Sequence, residues 1–131
     1  MLRLAVVAAL SLITATASAR TVERTVPAGK GGVLAALFGL ENVGCTAYRV
    51  HNAKVSPQPA HGVAAIVEKA VALPKEYAQC AGKVVKAQWL VYRPSKGFKG
   101  TDTVSVSYTL PTNTGEMNQR YFAVDYVVTV K

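Results

Sequence analysis

From Thr103 to Leu110 apolar and polar residues alternate without a break. Val104, Val106, Tyr108 and Leu110 fall on one face of an extended chain, and Thr103, Ser105, Ser107 and Thr109 on the other. Successive side chains of a strand point to opposite faces, so the stretch predicts a strand packed on one side and wet on the other. Tyr121 to Val130 repeats the pattern, with Phe122, Val124, Tyr126, Val128 and Val130 alternating with Tyr121, Ala123, Asp125, Val127 and Thr129. The connection from Pro111 to Gln119 holds Asn113 and Gly115, and the two strands are expected to form a hairpin with a long loop. Val84 to Tyr92 reads as a further strand, with Ala87, Trp89 and Val91 on one face and Gln88, Leu90 and Tyr92 on the other, stopped by Pro94.

Earlier in the chain the pattern is weaker. Thr21 to Val26 reads as a first strand, ended by Pro27 and the glycine-rich residues 29–32. Val33 to Leu40 is too short for periodicity to separate helix from strand, and both stay open. Val43 to Val55 has strand composition, Pro57 to Gly62 must turn, Val63 to Val67 suits a short strand, and residues 68–82 read as a polar connection. No amphipathic helix of ordinary length appears. Short strands at regular spacing between Gly, Pro and Asn signals predict an all-β sandwich of about seven strands.

The first residues change this picture. Met1-Leu2-Arg3 is a basic start, Leu4 to Ile13 is almost wholly apolar, and Ala17-Ser18-Ala19 fits the small-x-small rule of signal peptidase. Residues 1–19 therefore read as a secretory signal peptide, and 20–131 as a single exported domain, periplasmic or extracellular. The apolar run is about half the length that a bilayer span needs, so no membrane span is expected in the mature chain. In that compartment the only two cysteines, Cys45 and Cys80, are expected to form a disulfide. The formal net charge of +8 favours encounters with anionic surfaces but says nothing about fold.

Several short segments occur in a telling order. His61-Gly62 follows Pro59; then come Val91-Tyr92-Arg93-Pro94, Gly97-Phe98-Lys99-Gly100-Thr101-Asp102, Val104 to Tyr108, and a closing Val127 to Val130. Together they resemble the bacterial Ig-like or cadherin-like module that is repeated in large secreted adhesins, over residues 55–131. The cysteine pair and residues 20–54 lie outside the shared pattern. The resemblance implies an Ig-like β-sandwich with Greek-key wiring and no catalytic centre.

Candidate chemistry is sparse. Gly97 and Gly100 could suggest an anion-holding loop, but such a loop should feed a helix N-terminus, and this one feeds a strand. The mechanical account is that Gly97 and Gly100 relax the turn, Phe98 tucks into the core, and Asp102 accepts hydrogen bonds from turn N–H groups just before the strand. The seven acidic residues are scattered, which disfavours calcium, and His51 and His61 have no ligand cluster at zinc spacing. G-x-S-x-G and H-E-x-x-H are absent. No catalytic residue, metal or cofactor is expected. Lys83, Lys86, Arg93, Lys96 and Lys99 follow one another with no acid between Glu76 and Asp102, interleaved with Trp89, Tyr92 and Phe98. They read either as a polyanion-binding surface or as solvated lysines that keep sheet edges from aggregating. The sequence thus predicts an exported, non-enzymatic binding or structural module at the cell envelope, with an anionic polysaccharide as candidate ligand and nucleic acid not expected. The alternative is a small secreted effector or inhibitor that docks an acidic protein through a basic face.

Overall fold

The computed structural model describes residues 20–41, 43–112 and 118–131; the expected leader and the tip of the last hairpin lie outside the described residues. The strands are β1 (Arg20–Val26), β2 (Gly32–Leu37), β3 (Gly39–Glu41), β4 (Thr46–Tyr48), β5 (His51–Val55), β6 (Gly62–Ala72), β7 (Val84–Pro94), β8 (Gly100–Pro111) and β9 (Gln119–Val130). They form a four-stranded sheet in the order β1-β9-β8-β5, a three-stranded sheet β2-β7-β6 and a two-stranded β3-β4 hairpin. The fold is all-β and sandwich-like. Among the described residues the strand count is nine rather than about seven, because the small hairpin adds a pair that the sequence pattern does not separate.

The alternation of β8 and β9 is realised as expected. The two pair antiparallel from Gly100↔Val130 to Pro111↔Gln119, and Val104, Val106, Val124, Tyr126, Val128 and Val130 join the main buried cluster. From the other sheet, Leu34, Ala64, Leu90 and Tyr92 complete that cluster. The first strand pairs parallel to the last, Arg20↔Val124 through Val26↔Val130. Residues 33–40 are strand on both sides of Phe38 and not helix. A bulge in β2 between Val33 and Ala35 turns Leu34 and Ala35 together toward the core and leaves Val33 and Ala36 outward.

Two expectations need correction. Residues 43–45 are a turn rather than strand, and residues 68–72 belong to β6, which pairs with β7 over its whole length, Gly62↔Pro94 to Ala72↔Val84. The far half of β6 reads as polar because its burial changes face. Ala64 and Ile66 point into the main core, whereas Val71 and Val85 point the opposite way, into a second cluster with Leu73, Cys80, Phe38, Leu40 and Tyr77. That cluster surrounds the disulfide between Cys45 and Cys80, 35 residues apart, which ties the β3–β4 turn to the 3₁₀ segment Lys75–Cys80.

Candidate binding site

One end of the sandwich is assembled from the β1–β2, β5–β6 and β7–β8 connections, and Asp102 organises it. Its side chain is only 4% exposed. Oδ2 accepts from the Tyr92 hydroxyl at 2.7 Å and the His61 N–H at 3.0 Å; Oδ1 accepts from the Ala60 N–H at 3.2 Å and the Thr103 N–H at 2.9 Å. The expectation that Asp102 would cap its own turn is therefore corrected. Asp102 is the third residue of β8, and apart from Thr103 its donors come from the distant His61 turn and from β7 of the other sheet. A buried carboxylate must be hydrogen-bonded, and these groups meet that requirement. Burial first, and then the adjacent Asp102 carboxylate, raise Tyr92 well above the ordinary tyrosine value.

The glycines serve two different needs. Gly97 and Gly100 have φ of +80° and +138°, a region that L side chains avoid, so the turn into β8 requires them. Gly62 is instead a matter of space: a Cβ there would lie 2.5 Å from the Arg93 carbonyl and 2.7 Å from Tyr92 Cε2. Phe98 is half-buried against the main core, and the His61 ring stacks on it at 4.2 Å between centroids.

The basic residues are divided by the length of β7. Lys83 precedes the strand and Lys96 and Lys99 follow it, so the stretch that is continuous in sequence is separated by about 33 Å of extended chain. At the disulfide end, Lys83 Nζ donates to the Gly44 carbonyl at 3.4 Å, and Lys86 lies 3.9 Å from Glu68, which Arg49 also approaches at 3.9 Å. The absence of an acid in the sequence around Lys86 thus does not hold in space. At the other end, Arg93, Lys96 and Lys99 are exposed and lie on the same side of the sandwich as Lys30. Lys30 arrives there because Gly31 backs directly onto the Tyr92 carbonyl. Its participation has no signal in sequence, since it depends on a contact between residues 31 and 92. Glu41 and Glu76 sit at the disulfide end and Glu68 toward it, Glu23 and Asp125 lie midway along the four-stranded sheet, and Asp102 is buried.

His51 lies in β5 and His61 in the turn before β6, so the two histidines are placed in separate elements. Among the described residues, no three His, Cys, Asp or Glu side chains lie close enough to hold a metal ion, and no helix is long and apolar enough to cross a membrane. What remains is an end of the molecule that carries four exposed bases and the stacked His61–Phe98 pair and is braced by the buried Tyr92–Asp102 hydrogen bond. Compared with family models, with curated proteins and with solved structures, the chain matches none.

Proposed function

We propose that the chain is an exported, non-enzymatic Ig-like module of the cell envelope that binds an anionic polysaccharide at its basic end. The observation that carries this reading is the gathering at one end of Lys30 from the β1–β2 connection, Arg93 from the end of β7, and Lys96 and Lys99 from the β7–β8 connection, with the exposed acids among the described residues elsewhere. Like charges gathered over a fixed loop scaffold focus a positive potential on an anionic chain, and flexible lysines suit a repeating polymer better than a single rigid ligand. The stacked His61 and Phe98 rings add an aromatic surface that a sugar ring can lie on. The wiring supports the Ig-like part of the reading: β1-β9-β8-β5 faces β2-β7-β6, with the first strand parallel to the last. The disulfide suits an oxidising compartment.

Retention on a heparin-type matrix tests the site. Changing Lys30, Arg93, Lys96 and Lys99 to Gln should lower the salt concentration needed for elution far more than changing Arg49, Lys75, Lys83 and Lys86, which removes the same charge from the other end. Equal losses from the two sets would mean that net charge alone acts, and would overturn the assignment. A stoichiometric complex with an acidic protein that survives at salt concentrations eluting the polysaccharide would favour the effector alternative.

A further inference from the structure

The two outer faces of the sandwich differ in a way that water alone does not explain. β8 turns Thr103, Ser105, Ser107 and Thr109 outward, the polar set that a solvated sheet face needs. The three-stranded sheet turns outward mainly valine, alanine and tryptophan. Its register sets Val33, Val91 and Ala65 in one row and Ala36, Trp89 and Val67 in the next, with Val63 beside Arg93 at one end and Lys69 beside Ala87 at the other. Val33, Val63 and Val67 are 46, 65 and 48% exposed. Opposed side chains within a row lie about 5 Å apart and successive rows about 7 Å, so these side chains form one contiguous apolar patch. The β2 bulge contributes to it, because it turns both Val33 and Ala36 outward.

The charges at the margin say what can cover it. Arg93 borders one end of the patch, and Lys69 the other, with its ammonium 5.1 Å from the centre of the Trp89 ring. No carboxylate occupies an outward position of these strands; Glu68 points to the opposite face, toward Lys86 and Arg49. A second copy packed face to face would set Arg93 against Arg93 or against Lys69, whichever way the two-fold axis ran. Like charges therefore oppose self-association. The occupant must be apolar in the middle and anionic at its margin. The exposed part of the patch is short valine and alanine side chains around the half-buried Trp89, and the disulfide cluster covers this face only beyond Lys69, at Val71 and Val85, which suits a broad lipid surface rather than a shaped protein pocket. We infer that the outer face of the three-stranded sheet docks on an anionic lipid surface, with Val33, Val63 and Val67 entering the headgroup boundary and Lys69 and Arg93 meeting the lipid phosphates. This surface is the sheet face rather than the loop end, and it shares only Arg93 with the polysaccharide site.

Vesicles of phosphatidylcholine, with or without phosphatidylglycerol, test it by co-sedimentation. The protein should bind only the anionic vesicles, and the emission of Trp89, the only tryptophan, should shift to the blue and be quenched by brominated lipid. Val33→Ser with Val67→Ser, both at exposed positions, should weaken vesicle binding about tenfold while leaving retention on heparin unchanged. Lys69→Gln should weaken it less and reduce its salt dependence. The Lys30, Arg93, Lys96 and Lys99 set should sharply lower the salt needed for elution from heparin while vesicle binding persists at a reduced level, since Arg93 serves both surfaces. Three results would overturn the inference. One is no binding to anionic vesicles. Another is binding that survives the double valine change in protein shown by circular dichroism to be folded. The third is concentration-dependent dimerisation that the double change removes, which would make a second copy the occupant.

Discussion

The Tyr92 hydroxyl donates a 2.7 Å hydrogen bond to Asp102 across the interior, from β7 of one sheet to β8 of the other. The same carboxylate accepts from the His61 and Ala60 N–H groups, so a single side chain fixes both sheets and the turn that leads into β6. Tyr92→Phe removes one donor from a buried anion and leaves the ring in place. It should destabilise by about 2–3 kcal/mol, the cost of losing a hydrogen bond to a charged group. Asp102→Ala should cost more, because it removes the acceptor of the Tyr92 hydroxyl and of three backbone N–H groups together. Urea denaturation measures both. A Tyr92→Phe variant as stable as the parent would show that the carboxylate is satisfied without the tyrosine.

The same pair predicts the response to alkali. Tyr92 holds its proton more tightly in the fold than in the unfolded chain, first because it is buried and then because of Asp102. Such a group contributes stability that is complete below its unfolded value of about 10 and is lost as pH rises from there toward the folded value. Tyr126 and Tyr108 are also raised, chiefly by burial, and act in the same direction. The thermal midpoint should therefore fall above about pH 10, and Tyr92→Phe should fall less steeply over that interval. An identical slope in the variant would assign the alkaline loss to other groups.

How much of this was legible in sequence varies with the kind of contact. The faces of β8 and β9 followed from period-two alternation, because each packs one side against a single core, whereas β7 buries Leu90 and Tyr92 on one side and Val85 on the other. The far half of β6 was not legible, since its inward face changes where the disulfide cluster begins. The importance of Asp102 could be read from its place after a glycine turn, but its partners could not. Ala60 and His61 are 42 and 41 residues away, and no local pattern specifies them. The basic stretch misled for a related reason: adjacency along a strand is distance along the sandwich, and Lys83 and Lys99 lie at opposite ends of β7.

Gly62 and Gly97 separate two uses of glycine. A Cβ at 62 would meet the Arg93 carbonyl at 2.5 Å, and both that backbone and the buried Tyr92 ring are fixed. Gly62→Ala should cost about 3 kcal/mol, the upper part of the overpacking range, through the required shift. A Cβ at 97 meets nothing within 4 Å, but φ is +80°. Gly97→Ala should cost only about 1 kcal/mol, the backbone penalty alone. Equal losses would show that the turn into β6 relaxes more readily than its contacts imply.

The disulfide holds a part of the molecule that has little else. The β3–β4 hairpin is three residues on each strand, and its apolar side chains reach the small cluster around Leu73, Cys80 and Val85. Opening a bridge between residues 35 apart should cost about 3–4 kcal/mol in the chain-entropy account. Local opening should come first at residues 39–48 and 73–82, because they depend on that cluster. Hydrogen exchange after reduction, or in a Cys45→Ser/Cys80→Ser variant, should show lost protection there while β8 and β9 keep theirs. Uniform loss across all strands would mean that the hairpin and the main sandwich form one cooperative unit.

Gln58 stands where a neighbouring strand would. β6 is an edge of its sheet, and the Gln58 amide accepts from the Ala64 N–H at 3.0 Å and donates to the Ala64 carbonyl at 3.2 Å. That pair of bonds is what an antiparallel strand would supply, so one side chain closes the first part of an open edge. Farther along, Glu68 carries a charge, and antiparallel pairing of two copies about that residue would set one carboxylate against the other. Gln58→Ala should cost about 1 kcal/mol for the lost bonds and should also raise self-association, because the Ala64 backbone becomes free to pair. Gln58→Glu keeps an acceptor but loses the donor, and its added charge should oppose association. Sedimentation velocity across a concentration series separates these effects from stability, which denaturant titration reports. Combining Gln58→Ala with Glu68→Val should associate most strongly, since it opens the edge and removes its repulsion. If Gln58→Ala and the double variant both lose stability without associating, Gln58 only staples its own turn, and the edge of β6 is protected by something other than these two side chains.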